Sequence, residues 1–461
     1  MSHPRLSTTV EPDADEQDQE TLLKTFLATT QHFFGSFTDL FAPVADPRQP
    51  ELITYPLAAL LFAGLWLLVC RLGARRQLAQ MFRGNGPSAT KFAALFGVVT
   101  CPHGDTLNGV FRRLSPDELQ AVVTGLIETL IRRKVLYATR LLERSYLIAI
   151  EGTGVLVFAE RHCAHCLTRT HHGVTTYSHP LLEAKLVTRT GFAFSVMTEF
   201  IENPEETPTK QDCELKAFYR LAERLKQHFP RLPICLLLDG WYAGGPTFTC
   251  CEQYDGQFLI TRQDDDLPSL QREFKALRPL APENHLHFTP SGYPPVQQEF
   301  HWLNDLDYVD TEHRVHTLAV IACDETQPVD GQPQTTRFQW VTSFTITAQK
   351  VIPLANQGGR LRWKIENEGF NVQKTGGYAL EHADTQNPTA AQVFYFLLQI
   401  AHLLSQLIEH GSLFQHAFPH GVGAAKNLAF RLLEAWRNLR RTPAEILALA
   451  TGRFQIRFDA S

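Results

Sequence analysis

Three carboxylates in this chain stand where chemistry could use them. Two apolar runs, Tyr146-Leu-Ile-Ala-Ile150 and Ile234-Cys-Leu-Leu-Leu238, each end in an acid followed by glycine, Glu151-Gly152 and Asp239-Gly240. Short apolar runs closed by glycine read as a buried strand and a turn, and strand ends are where a parallel or mixed sheet presents ligand groups. The third acid, Glu366, follows Arg362 by four residues in the stretch Arg362-Trp-Lys-Ile-Glu-Asn-Glu-Gly-Phe-Asn371, so on a helix the two share a face. Trp363 and Phe370 are expected to lie close by. Glu368 sits about 200° round from Glu366 on an ideal helix and is expected to face solvent. Taken singly, Asp239-Gly is a turn signal, Glu151 a loop acid, and Arg362 with Glu366 a surface ion pair. Taken together, three converging acids repel one another unless a cation sits among them. Hard oxygen ligands in that number call for Mg²⁺ or Mn²⁺, and a two-metal arrangement suits in-line attack on a phosphodiester.

A second cluster follows the first acid directly. His162-Cys-Ala-His-Cys-Leu167 is succeeded by His171, His172 and His179. Cys163 and Cys166 with two histidines would make an N/S set of the structural zinc type, His179 being one and His172 the other, with His171 as its alternative. The competing reading is reduced thiols and exposed histidines on a long β-turn. Zinc here would pin the chain leading away from Glu151. Gln211-Asp-Cys-Glu214 opens a helix, and its acids read as first-turn residues complementing the dipole or, since the helix starts at the same edge, as an additional acid near the metal site. Between 425 and 457 lie Lys426, Arg431, Arg437, Arg440, Arg441, Arg453 and Arg457 against few acids. That basic run is a solvated face or a phosphate-binding surface, with Arg440 and Arg441 as the candidate DNA contacts.

The elements that must position these groups follow from length and pattern. With 461 residues and 44% hydrophobic content the chain can bury a large core in several units. A formal charge of -5 argues against a uniformly basic nucleic-acid binder, though not against a local patch. Nine cysteines, an odd number spread thinly, fit reduced thiols in the cytoplasm. The apolar run from Leu57 to Cys70 is short of the roughly 20 residues a bilayer needs and reads as a buried helix. Residues 1–20 form an acidic tail with too little apolar surface to order. A helical N-terminal domain, the candidate for binding DNA ends, is expected over 21–142, and a first sheet segment carrying the Cys/His knuckle at 162–179 over 143–263. A β-rich insertion over 264–346 includes a Pro/Gly/Gln linker at 327–334. The helix of Glu366 and the remainder of that domain span 347–410, and a basic helical tail 411–461.

On Ile150-Glu-Gly-Thr-Gly154, Leu236-Leu-Leu-Asp-Gly-Trp-Tyr242 and Arg362-Trp-Lys-Ile-Glu-Asn-Glu-Gly-Phe370, the chain resembles the DDE-type insertion-sequence transposases. These carry a β-rich insertion in a ribonuclease-H-like catalytic domain, and the resemblance spans roughly residues 50–410. It implies an α/β (α+β) fold: a ribonuclease-H-like mixed sheet with an inserted β-rich module, preceded by a helical domain and followed by C-terminal helices. It further implies that Glu151, Asp239 and Glu366 are catalytic and hold Mg²⁺ or Mn²⁺, and that Arg362 and Lys374 contact DNA phosphates. Related transposases carry a cysteine pair after the first acid, which favours structural Zn²⁺. Relatives also stack an aromatic residue of the insertion on a base turned out of the duplex; Trp302 and Trp340 are placed for that role or for the core.

The implied partners are double-stranded DNA, as terminal inverted repeats and target, and a second copy of the chain on DNA, with no membrane. The chain would be cytoplasmic and associated with the nucleoid when bound. Three positions depart from the family pattern. Glu151 stands where an aspartate is usual, Gly359 where a tyrosine precedes the arginine by three, and Gln373 where a lysine follows the glutamate by seven, with Lys374 one place later. The alternatives are a catalytically degenerate, zinc-stabilised DNA-binding protein, such as a repressor or domesticated transposase, and a metal-dependent nuclease on other nucleic acids.

Overall fold

A computed structural model describes residues 14–84, 86–161, 163–205, 208–263, 266–292, 295–382, 384–423, 425–452 and 454–458. Residues 1–13, His162, Tyr293, Pro294 and Arg453 lie outside them. The chain divides into two units, one of residues 1–129 with 373–460 and the other of residues 130–372.

The first unit is helical and is built from both ends of the chain. Its centre is the apolar helix Leu57–Val69, buried on nearly every side. A helix apolar all round must be enclosed, and here it is enclosed by other helices rather than lipid. Phe62 and Trp66 pack against Trp436 of the helix Ala425–Asn438, the Trp66 and Trp436 rings lying 4.5 Å apart. Trp436 donates its indole N–H to Ser88 Oγ at 2.9 Å. Lys91, buried below this cluster, donates to the Leu439 carbonyl at 2.7 Å, and burial pushes its ammonium down to about 7. The helix Pro388–His410 is long and apolar enough to cross a membrane, but 89% of its most apolar window is buried. Asn387 caps it, as Asn387-Pro388 predicts, accepting from the Ala390 N–H at 3.0 Å.

Two sequence expectations change here. Helix Pro388–His410 falls with the helical unit, not with the sheet, and so does the stretch expected as a separate basic tail. The acidic tail expected to residue 20 gives way to helix from Ala14, whose acids have partners on that basic stretch. Arg441 pairs with Glu16 at 2.6 Å and with Glu20, and Arg431 lies 3.9 Å from Asp18. Charge patterning along one segment could not show that the complementary run lay over 400 residues away.

The second unit is organised on a ten-stranded sheet. Its strands are β1 (Tyr146–Phe158), β2 (Leu167–His171), β3 (Val174–Val187), β4 (Ala193–Phe200), β5 (Ile234–Leu238), β6 (Gln257–Arg262), β7 (His285–Phe288), β8 (Gln297–Val309), β9 (Val315–Val329) and β10 (Gln332–Thr342). Their order is β2-β3-β1-β5-β6-β10-β9-β8-β7, with β4 also paired to β3. β1, β5 and β6 run parallel; every other pair is antiparallel. The helix Glu214–His228 makes the crossover from β4 to β5 and buries Phe218, Leu221 and Leu225. The insertion does not stand apart from the sheet: β10 pairs with β6 from Gln339↔Arg262 to Thr342↔Leu259, covering an edge that would otherwise be open. The expected linker at 327–334 is instead a hairpin, Val329 pairing with Gln332 around Asp330 and Gly331, which have φ of 49° and 76°. Asp-Gly at positive φ is the chemistry of a tight two-residue turn.

The packing of the helical unit yields a direct test. Trp436→Ala should destabilise that unit by about 3–5 kcal/mol, the range for deleting a buried aromatic side chain. Urea unfolding followed by near-UV circular dichroism would measure it, and a loss below about 1 kcal/mol would contradict the aromatic core described.

Candidate active site

Glu151 does not close a strand. β1 runs on through it to Phe158, and β3 follows it from Ile148↔Leu186 to Phe158↔Tyr177 with one irregularity between Gly154 and Leu156. The glycines that read as a turn serve other ends. A Cβ on Gly152 would lie 2.6 Å from Glu214 Oε2, and one on Gly240 would lie 2.2 Å from Asp266 Oδ2. Each glycine therefore makes room for a further carboxylate.

The register aligns the acids of the two strands. β1 and β5 pair in parallel from Tyr146↔Ile234 to Ala149↔Leu237. Two residues further on, Glu151 is level with Asp239, one strand spacing away, about 4.8 Å. Asp239 begins a short 3₁₀ turn, Gly240–Tyr242, and accepts the Trp241 N–H at 3.0 Å.

Glu366 arrives from a different kind of element. Gly359–Trp363 is 3₁₀, and Ile365–Phe370 is a π-helix with i→i+5 bonding. Short π segments inside helices concentrate at functional sites. The α-helical spacing assumed from sequence therefore fails here. The Glu368 side chain is 33% exposed: Oε1 is 2.5 Å from Lys364 Nζ, while Oε2 is buried with no hydrogen-bond partner among the described residues. Phe370 is buried whereas Trp363 is half exposed, so the two do not form a pair. Trp363 stacks instead beneath the Arg362 guanidinium, 4.0 Å away.

Arg362 is buried and reaches across to Glu151, Nη1 donating to Oε2 at 2.7 Å. Its partner is thus not Glu366, the acid four residues on that shares its face in an α-helix. One guanidinium does not balance the charge around it. Burial, reinforced by the Asp239 carboxylate and further by Glu366 and Glu214, pushes the Glu151 carboxyl up to about 7 against the opposing pull of Arg362. Four carboxylates therefore share one electrostatic neighbourhood. Glu214 reads from sequence first as a helix-dipole acid, and the structure places it in the alternative raised for that helix start, an acid near Glu151. Its helix starts beside β1, and Tyr242 donates its hydroxyl to Glu214 Oε1 at 2.6 Å. Burial and then Glu214 raise the Tyr242 phenol well above its ordinary range, so it remains a donor. Tyr242 in the Asp239-Gly-Trp-Tyr run was the available signal. Asp212 lies apart, paired with Arg220 at 2.7 Å.

The remaining sequence-named residues are placed as follows. Cys163 Sγ, Cys166 Sγ and His179 Nε2 form a triangle with sides of 3.2, 3.3 and 3.3 Å. His179 Nδ1 faces Glu202 at 3.3 Å. His172 is not part of this group. It occupies the β2–β3 hairpin turn at φ 48° and stacks edge-on against His171. Trp302 and Trp340 are both core, and Trp340 fills the space beside Gly359, where a Cβ would meet its Nε1 at 2.2 Å. An aromatic residue from β10 thus fills the space beside Gly359. Within the helical unit, Lys374 pairs with Glu381 at 3.2 Å, and Gln373 is buried, donating to Gln399 at 2.8 Å. Arg440 is exposed, while Arg441 is engaged by Glu16 and Glu20.

Residues 38–127 match the sequence family described as DDE_Tnp_1-associated. The match covers about a fifth of the chain. It lies in the helices of the first unit and includes none of the carboxylates. No curated protein matches the chain.

The electrostatics set a pH dependence with a definite sign. A carboxyl raised in the folded state binds its proton more tightly there than in the unfolded chain. Its contribution is therefore fully present below about 4.5 and is lost as pH rises through about 7. Without added divalent ions, the sheet unit should lose stability over that window. Glu151→Gln should flatten the slope and be more stable than the parent at pH 8 by on the order of 2 kcal/mol. Equal slopes in urea titrations of the two chains would refute this electrostatic description.

Proposed function

We propose that this chain is the DNA transposase of an insertion sequence, cleaving element ends and transferring strands by metal-dependent in-line attack on phosphodiesters. The observation that carries the reading is that Asp239, Glu366 and Glu214 all act electrostatically on Glu151, whose carboxylate is held by Arg362. The strand order is in accord with a ribonuclease-H-like core. β4, β3, β1, β5 and β6 make a five-strand sheet in which the first three alternate in direction and the last two run parallel to β1.

The donor set is of the kind the implied metal takes: hard carboxylate oxygens in excess, and one carboxyl pushed to about 7 by burial and then by the neighbouring acids. Glu151, Asp239 and Glu366 would hold Mg²⁺ or Mn²⁺, which when bound supplies Lewis acidity toward the phosphate and acidifies a bound water or 3′-hydroxyl. Tyr242 fixes Glu214 beside Gly152 and so holds the fourth carboxylate in place. Arg362, with further N–H donors beyond the one on Glu151, would contact a phosphate oxygen beside the site. Lys374 and Arg440 are further phosphate contacts in this reading, whereas Arg441 must first leave its acidic partners. Two ends held together call for a homodimer on DNA.

Cys163, Cys166 and His179 fit a structural Zn²⁺, because ligands about 2.0–2.3 Å from a tetrahedral ion stand about 3.3–3.8 Å apart. Glu202 behind His179 is the carboxylate that commonly orients such a ligand. The fourth ligand is not His172.

One observation favours a second reading, a degenerate DNA-binding protein: the guanidinium of Arg362 stands on the carboxylate where the ion would bind. A plasmid bearing the ends that flank the gene separates the two. The enzyme should nick it with Mg²⁺ or Mn²⁺, and Glu366→Gln should reduce cutting at least about a hundredfold with end binding retained. Specific binding without any cutting by the parent chain would sink the catalytic reading. Zinc content gives an independent check. Cys163→Ser should lower bound zinc by about one ion per chain, and an unchanged metal content would remove the knuckle from the proposal.

A further inference from the structure

A second metal-ligand constellation lies in the β-rich module, on residues the function above does not use. His285 on β7 is the direct cross-strand partner of His301 on β8, and Glu299, two residues before His301, pairs with His287. Residues two apart on a strand share a face, so His285, Glu299 and His301 project from the same side of the sheet. Their side chains converge. Glu299 Oε1 lies 3.0 Å from His285 Nε2 and 3.1 Å from His301 Nε2, and all three ligand atoms fall within 4.8 Å of one another. The two imidazoles stack with centroids 4.4 Å apart, both turning Nε2 toward the same carboxylate.

We propose that His285, Glu299 and His301 form a binding site for a divalent transition-metal ion of the zinc class. Two imidazoles and one carboxylate are a recurrent three-ligand set for zinc that keeps a fourth position open. Ligands about 2.0–2.1 Å from a tetrahedral ion stand about 3.3 Å apart, so the observed spacings need to open by only a few tenths of an ångström. Burial, aided by nearby Arg278, lowers the His301 imidazolium against the pull of Glu299. Burial would raise Glu299, but hydrogen bonds from His301 and His285 outweigh it and keep the carboxylate ionised. Binding requires only that each ring carry its proton on Nδ1 instead of Nε2.

The cationic surroundings decide what completes the site. His285 and His301 also line a cavity of about 500 Å³ with Lys275, Arg278 and Arg337. Arg337 is held by Asp324 at 2.6 Å, leaving Lys275 and Arg278 facing the opening. Water or an anionic oxygen suits the fourth position there. β7 is only four residues long and closes the sheet, so a metal bridging it to β8 would also clamp an otherwise weak edge.

Equilibrium dialysis of the full chain against Zn²⁺, followed by metal analysis, tests this separately from any transposase activity. The parent should hold one more zinc ion than Glu299→Gln or His301→Gln, each weakening that site by roughly a hundredfold. His313→Gln, on an exposed turn, should bind as the parent does. Equal zinc binding by the parent and both site variants would overturn the proposal. Should both variants fail to fold, the parent decides with Co²⁺. A histidine and carboxylate site adds visible d–d absorption without the near-UV thiolate band of the cysteine cluster, and its absence after saturation would refute the site.

Discussion

Unbalanced negative charge is the constraint on which the sheet unit depends. β1 and β5 could have paired in any register that buried their apolar faces, yet the one adopted sets Glu151 level with Asp239. Like charges one strand spacing apart in a partly buried place repel strongly, since the low local dielectric weakens the attraction to water that would otherwise screen them. Arg362 answers part of that repulsion, and burial together with the remaining acids still raises the Glu151 carboxyl. Such a cluster persists because the surrounding packing over-determines it. Stability elsewhere is maintained at the expense of strain here.

That packing is visible below the π-helix. Glu183, the cross-strand partner of Glu151, is wholly buried and accepts from Ser195 and, at 2.7 Å, from Thr198. Lys185, also wholly buried, lies 3.8 Å from Glu183 and places its ammonium 5.5 Å from the Phe370 ring. A Cβ on Gly369 would press on the lysine stem at 3.1 Å. A buried Glu183–Lys185 pair thus supports the floor on which Ile365–Phe370 rests. Breaking one partner of a buried pair costs far more than the pair gains, so this floor fixes geometry more than it adds stability. The π-helix aims Glu366 at the site, and one oxygen of Glu368 is left without a partner as a result.

Much of this was legible in the sequence where the signal was local. Ile234–Leu238 and the Asn387 cap follow from apolar runs and capping chemistry. The failures have a common cause, which is that a glycine or a charge was interpreted without its distant partner. Gly152 reads as a turn until Glu214 is seen beside it; Glu16 and Glu20 read as a solvated tail until Arg441 is seen. His172 reads as a ligand by proximity in sequence, but the hairpin turn carries it away from Cys163, while His179 returns along β3. The helix of Glu366 was misjudged in a different way. Nothing in residue types distinguishes i→i+5 from i→i+4 bonding, so the facing of Glu368 and the partner of Arg362 could not be derived from the spacing.

Arg362 ties these observations together, because it is asked to do two things that oppose each other. Its pair with Glu151 offsets charge when no cation is present, yet that pair occupies a carboxylate that a metal ion would need. The geometry reconciles them. Only Nη1 is committed to Glu151, while Nε is buried without a partner and the flat face of the guanidinium lies over Trp363. A dication among the carboxylates would take over the electrostatic role of the arginine and release donors in a planar fork suited to phosphate. The longer side chain at position 151 is consistent with that exchange. Glutamate reaches about one bond further than aspartate, far enough to meet Arg362 across the sheet while remaining beside Asp239. The longer acid at position 151 and the ion pair on it are then one arrangement, in which the protein supplies its own counter-charge.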